Sequence, residues 1–220
     1  MTRRRFGAED SQTRRALLDA AAQIMLEEGY AAATSRRVAA RAGVKPALVH
    51  YYFRTMDDLY LALFRRGAEA NLRRQEKALA ADRPLQHLWE FGNDPDSTAL
   101  MAEFIALANH RKTIKAELLA YAERFRTIQI KAVTELLNRY GVDTTAFHPA
   151  AATVILTSIS RILAIEVGLG LTAGHAETIE LVERFLHGIE PPRTGDADAP
   201  TDDHPTAEDR PTARGPAERE

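Results

Sequence analysis

The sequence predicts an all-α protein made of a small N-terminal helical unit and a larger helical body. Three observations predict it. Apolar residues recur at three- and four-residue intervals from Leu17 to Ile189. No segment alternates apolar and polar residues in the way a half-buried strand would. Glycines and prolines at Gly29, Gly43, Pro46, Pro84, Gly92, Gly141 and Gly168 divide the pattern into helix-sized pieces. Four units result: a basic flexible arm over 1–9, a compact three-helix unit over 10–56, a helical body over 57–190 and a disordered tail over 191–220.

The first helix starts near Asp10 or Ser11, either of which can accept from free N–H groups, and carries Leu17, Ala21, Ile24 and Met25 on one stripe before Gly29 stops it. A short second helix starts at Thr34 or Ser35 and runs through Val38 and Ala39 to about Ala42, where Gly43 permits the turn. Pro46 opens a third, through Leu48, Val49, Tyr52 and Phe53; the missing N–H of proline costs nothing in the first helical turn. Helices this short are marginal alone in water and must dock on one another.

Thr55 followed by Asp58 is a capping-box spacing and starts the fourth helix. A shorter helix follows Pro84. The Gly92 to Asp96 segment breaks the pattern, and Ser97 or Thr98 restarts it. Residues 98–109 and 111–139 read as two helices ended by Gly141. The last two, about 147–168 and 172–189, are separated by a short turn and should form an antiparallel pair.

The formal net charge of -2 conceals an uneven distribution. Residues 1–60 hold ten Arg or Lys against seven Asp or Glu, whereas residues 191–220 hold four against eight. Only the first segment is suited to a polyanion. Six prolines and few apolar residues mark the tail as unable to build a core. The absence of cysteine excludes disulfides, thiolate metal sites and cysteine nucleophiles, and fits a reducing cytoplasm. No uninterrupted apolar run reaches membrane-spanning length, and no secretory pattern follows the first arginines.

Two short helices joined at Ala42-Gly43-Val44 form a helix-turn-helix spacing, which places the second of them in a DNA major groove. Ala33-Thr34, Val38-Ala39, Ala42-Gly43-Val44, Tyr52-Phe53 and Leu59 together resemble the tetracycline-repressor (TetR) family over about residues 11–60. The resemblance implies a homodimeric repressor that binds near-palindromic double-stranded operator DNA and lets go when a small molecule enters its C-terminal domain. By position, Thr34 is implied as a phosphate contact with Arg36 and Arg37 nearby, and Lys45, Pro46, Ala47, Leu48, His50 and Tyr51 occupy or flank the DNA-facing helix. Four residues depart from the family pattern: Lys45 replaces a small capping residue, Ala47 a glycine, His50 a tyrosine and Met56 a lysine. Lys45 and His50 can still donate to phosphate; Met56 cannot. Arg3, Arg4 and Arg5 either follow a groove or form a solubilising arm.

In the body, Trp89, Phe104, His110, Tyr121 and Phe125 are candidate contacts for an apolar or amphipathic effector, with core packing as the alternative for the aromatics and a wet helix junction for His110. The final helical pair has more apolar residues than one hairpin needs. Ile155, Ile159, Ile162 and Leu163 from one helix, with Val182, Phe185 and Leu186 from the other, are candidates for a four-helix dimer interface. Glu103, His110 and Glu117 have no fixed metal-ligand spacing, and Ser158, Ser160 and His175 form no nucleophile-and-base motif, so neither a metal, a cofactor nor catalysis is expected. The expected function is a cytoplasmic, ligand-responsive transcriptional repressor. An activator, a nonresponsive regulator and a helical interaction module are the alternatives.

Overall fold

The computed structural model describes residues 8–92 and 95–190. The arginines of the arm, the tail from Pro191 and the side chain of Phe91 lie outside the described residues. Among the described residues the architecture is wholly helical: α1 (Ala8–Glu28), a 3-10 turn (Tyr30–Ala32), α2 (Ser35–Arg41), α3 (Pro46–Tyr52), α4 (Met56–Leu79), α5 (Pro84–Gly92), α6 (Pro95–Ala108), α7 (Lys112–Arg139), α8 (Pro149–Gly168) and α9 (His175–Ile189). Helix α1 begins two residues before Asp10, inside the segment read as a flexible arm.

The predicted punctuation acts as local chemistry requires. Gly43 has φ 68°, a left-handed value that a Cβ would strain, and lets Val44 N–H reach Ala39 O at 2.9 Å. The Thr55 hydroxyl accepts from Asp58 N–H (3.1 Å), while the Asp58 carboxylate accepts from Thr55 N–H (3.0 Å), completing the capping box. Pro46 occupies the first turn of α3.

Two apolar clusters organise the chain. The first joins Leu17, Ile24 and Met25 of α1 to Val38, Val49, Phe53 and Leu59, and continues into Phe64, Phe104, Leu107 and Ile114. Packing does not stop at the expected boundary at residue 56, because α4, α6 and α7 close the core of the N-terminal unit. Glu103 of α6 accepts from Tyr30 N–H at 2.6 Å, and the Tyr60 hydroxyl donates to Ala33 O at 2.9 Å, so the attachment is polar as well as apolar.

The second cluster, at the far end, holds Leu85 and Trp89 of α5, Val133, Leu136 and Leu137 of α7, and Leu163, Val182 and Leu186 of α8 and α9. Buried Glu190, at the end of α9, fastens this cluster. It accepts from Leu85 and Gln86 N–H, both at 3.1 Å, and from the Tyr140 hydroxyl at 2.6 Å. A carboxylate at the start of α5 meets unpaired N–H groups and the positive end of the helix dipole.

Candidate nucleic-acid interface

Helix α3 has one inward residue per turn and a free outer face. Val49, 1 % exposed, and Phe53 hold it against α1 and α4. Lys45, Pro46, Ala47, Leu48, His50 and Tyr51 are all exposed, and Tyr51 stands edge-on to half-buried Tyr52 with ring centroids 5.1 Å apart. Lys45 is the residue before the first helical turn, in extended backbone, and its side chain makes no cap bond. This ammonium therefore projects from the tip of the helix. The six residues form one surface of a cation, an imidazole, a phenol and three small or apolar groups, matched to phosphate oxygens, base edges and thymine methyls.

Helix α2 divides its arginines. Thr34 is exposed at the N-cap and makes no side-chain cap bond, and Arg36 is exposed without an ion pair among the described residues. Arg37 is bound to Glu28, and Arg41 to both oxygens of Glu27 (2.7 and 3.2 Å). These hydrogen bonds hold the Glu27 and Glu28 carboxyls below their usual range and the two guanidinium groups above theirs. The structure thus places Arg37 in a clamp between α1 and α2. The signal that sequence reasoning passed over was Glu27-Glu28 at the C-terminal end of α1, where carboxylates face the negative end of the dipole and need cations from elsewhere.

The five effector candidates are not brought together. Trp89 is buried in the far cluster and Phe104 in the near one, edge-on to Phe64 at 5.3 Å. His110 is exposed at the turn before α7. Close packing removes the two aromatics from any shared wall, and the helix junction turns the imidazole outward. Tyr121 and Phe125 do adjoin, with centroids 5.6 Å apart and the Tyr121 hydroxyl accepting from Asn71 at 3.2 Å. Burial raises the Tyr121 pKa.

The dimer candidates split in the same way. Ile155, Ile162 and Phe185 are exposed, Ile159 is half-buried, and Leu163, Val182 and Leu186 face the chain's own core. These last three are spent within the protomer and cannot form a face. Val154, Ile165 and Leu181, absent from the candidates, are exposed instead. Helices α8 and α9 are apolar on both sides, so periodicity alone does not fix which side faces out. Among the described residues no group of three or more His, Asp or Glu could hold a metal.

Residues 17–63, the segment containing this exposed helix, match the model of bacterial regulatory proteins of the tetR family. Over this segment the chain is similar to the tetR family. Over 125 residues it is 29% identical to the HTH-type transcriptional regulator BetI of Rhizobium meliloti, a match covering 52% of this chain and 61% of that protein. The match thus spans under two thirds of the relative's length. Solved structures align more completely. A transcriptional regulator of Pseudomonas aeruginosa PAO1 is 20% identical with a TM-score of 0.66, covering 84% of this chain and 94% of that one. A regulator of Saccharomonospora viridis in complex with choline is 20% identical with a TM-score of 0.67, covering 81% and 95%.

Proposed function

We propose that the chain is a homodimeric, sequence-specific DNA-binding repressor, acting in the cytoplasm on a near-palindromic double-stranded operator and relieved by a small organic molecule. The observation that carries the reading is α3: Val49 and Phe53 anchor it, and its other residues from Lys45 to Tyr51 are exposed to solvent. Lys45 and His50 supply donors for phosphate, Thr34 and Arg36 extend that track from α2, and Ala47, Leu48 and Tyr51 face bases.

Dimerisation rests on the outer faces of α8 and α9. Ile155, Ile162, Ile165 and Leu181 are all exposed, and only 28% of the apolar window of α8, mean hydropathy 1.7, is buried within the protomer. A second copy would cover that stripe and set two α3 helices at a fixed spacing. Relief by a small molecule rests on the Tyr121–Phe125 region of α7 and on the precedent of a similar fold that holds choline. The molecule must favour the DNA-incompetent arrangement, since equal affinity for both arrangements shifts nothing.

Selection of fragments from random duplex DNA by the purified full chain tests the reading. An enriched, near-palindromic sequence is expected; no enrichment at low salt would refute sequence-specific binding. Lys45→Ala should then weaken operator and unrelated duplex alike and lower the salt slope by about 1, as loss of one phosphate contact requires. Unchanged binding to both duplexes would remove Lys45 from the interface.

A further inference from the structure

Small-molecule relief, on which this inference rests, leaves the chemistry of the ligand open; the seam between α4 and α7 narrows it. Both helices start beside the DNA-facing unit, where Arg111 pairs with Asp57 at 3.3 Å. They run in the same direction. Arg65 bonds Glu117 at 2.7 Å, and further along Asn71 bonds Tyr121 at 3.2 Å. One turn beyond Asn71 is Gln75, 0% exposed, with neither its amide nitrogen nor its amide oxygen hydrogen-bonded.

Two turns beyond Tyr121, on the same face of α7, is Gln129, 5% exposed, whose amide oxygen is also unpartnered. Arg126, three residues before it and so on the neighbouring turn, has one guanidinium nitrogen sealed from solvent without a partner. By this register Gln75 and Gln129 are offset by about one helical turn, ~5 Å. Phe125 lies between Tyr121 and Gln129 on the α7 stripe.

Buried polar groups in native proteins are hydrogen-bonded almost without exception, and a concentration of unpaired ones calls for an absent partner. The unmet groups specify it. The Gln75 amide nitrogen and Arg126 need acceptors, whereas the two glutamine oxygens need a donor. Among the described residues no carboxylate pairs with Arg126, or with Arg161 of α8, while Glu117 is engaged by Arg65 and Glu90 by Gln86 and His87. An open groove of about 380 Å³ between α4 and α5, lined by Arg74, Lys77, Ala78, Ala81, His87 and Glu90, lies beside the α4 turn that carries Gln75 and adds two cations near the seam.

We propose that this seam binds a small organic carboxylate bearing a hydrogen-bond donor, its acid held by Arg126 and the Gln75 amide, its donor by the Gln75 and Gln129 oxygens, and its apolar body by Tyr121 and Phe125. A quaternary ammonium such as choline would add positive charge beside Arg126 and bring no carboxylate to it.

Calorimetric titration of the full chain with salicylate, salicylamide and choline tests the class. Salicylate is expected to bind, and Arg126→Gln or Gln75→Leu each to weaken it by about tenfold or more, as for loss of a charge-assisted bond. His110→Ala, outside the seam, should leave it unchanged. If Gln75→Leu does not fold by circular dichroism, Arg126→Gln and Gln129→Met carry the comparison. Tighter binding of salicylamide or choline overturns the anionic class and leaves small-molecule relief standing. Salicylate affinity that none of the seam variants alters overturns the site. Binding by none of the three overturns the proposal; relief itself is then judged by operator release across a chemically mixed library.

Discussion

The two ends of α4 lie in different kinds of interior. At its start, Leu59 and Leu63 enter a core with Leu17, Ile24, Val38 and Val49, where the buried Tyr60 hydroxyl has its acceptor. Toward its end, Gln75 enters an interior in which both polar atoms of the Gln75 amide, the amide oxygen of Gln129 and a nitrogen of Arg126 have no partner. An apolar, satisfied core holds one geometry, which an α3 of only seven residues needs if its side chains are to meet bases in register. An interior with unmet polar groups is completed by whatever supplies them, and so responds to it. One helix joins the two, so a change at one end has a rigid path to the other.

The sharpest way to break the comparison is to damage the satisfied end. Leu59 is fully buried where α1, α2 and α4 meet. Leu59→Ala should cost ~2–5 kcal/mol, the range for a cavity in a tight core. Urea unfolding of the full chain reads it directly. A cost under about 1 kcal/mol would show a core that relaxes around the cavity, and the claim of a rigid DNA-facing unit would fall.

A smaller loss is expected where the body is satisfied by one residue. Glu190 accepts from two N–H groups at the start of α5 and from Tyr140. Glu190→Ala orphans all three donors and should cost about 2 kcal/mol, since bonds to charged groups contribute ~1.5–3 kcal/mol and leaving buried donors unpaired adds to the loss. A chain ended at Glu190 should keep the full stability of the longer one, and a chain ended at Ile189 should show the Glu190→Ala loss. Equal stability of these two truncations would show that the side-chain bonds are not what fastens α5.

How much of this was legible depended on distance along the chain. The Thr55–Asp58 box, the Gly43 turn and the Pro46 start are local rules, readable within four residues, and the exposed face of α3 followed from them. Glu190 looks like the last residue before a tail, because its partners lie 50 to 105 residues away. Arg37 looks like a DNA contact until Glu28 is seen beside it. In α8 and α9 the difficulty is phase: Leu163 and Ile162, or Val182 and Leu181, are adjacent and equally apolar, yet one of each pair faces the core and the other solvent. Gln75 and Gln129 carry no signal of burial in their residue type, so the unmet interior could not be read at all.

The smallest expected effect isolates one bond of the Glu190 cluster by pH. Burial, the hydrogen bond to Glu190 and its charge push the Tyr140 phenol from 10.0 up to about 12. A group whose pKa is higher in the folded state contributes its full stabilisation below the unfolded value and loses it as pH rises through the folded one. The Tyr140 contribution is therefore complete at pH 9, declines from pH 10 to 12 and is gone beyond. Tyr140→Phe removes the titrating hydroxyl and keeps the ring. Below pH 10 the variant should melt lower, by the equivalent of about 1 kcal/mol or less because Tyr140 is only half-buried. Tyr60 and Tyr121 also have raised pKa values and titrate alike in both proteins, so the difference between the two curves isolates residue 140. That difference should close between pH 10 and 12. A gap that stays constant across the window would mean that the phenol stabilises the body by packing, and that the Glu190 carboxylate is held by the start of α5 alone.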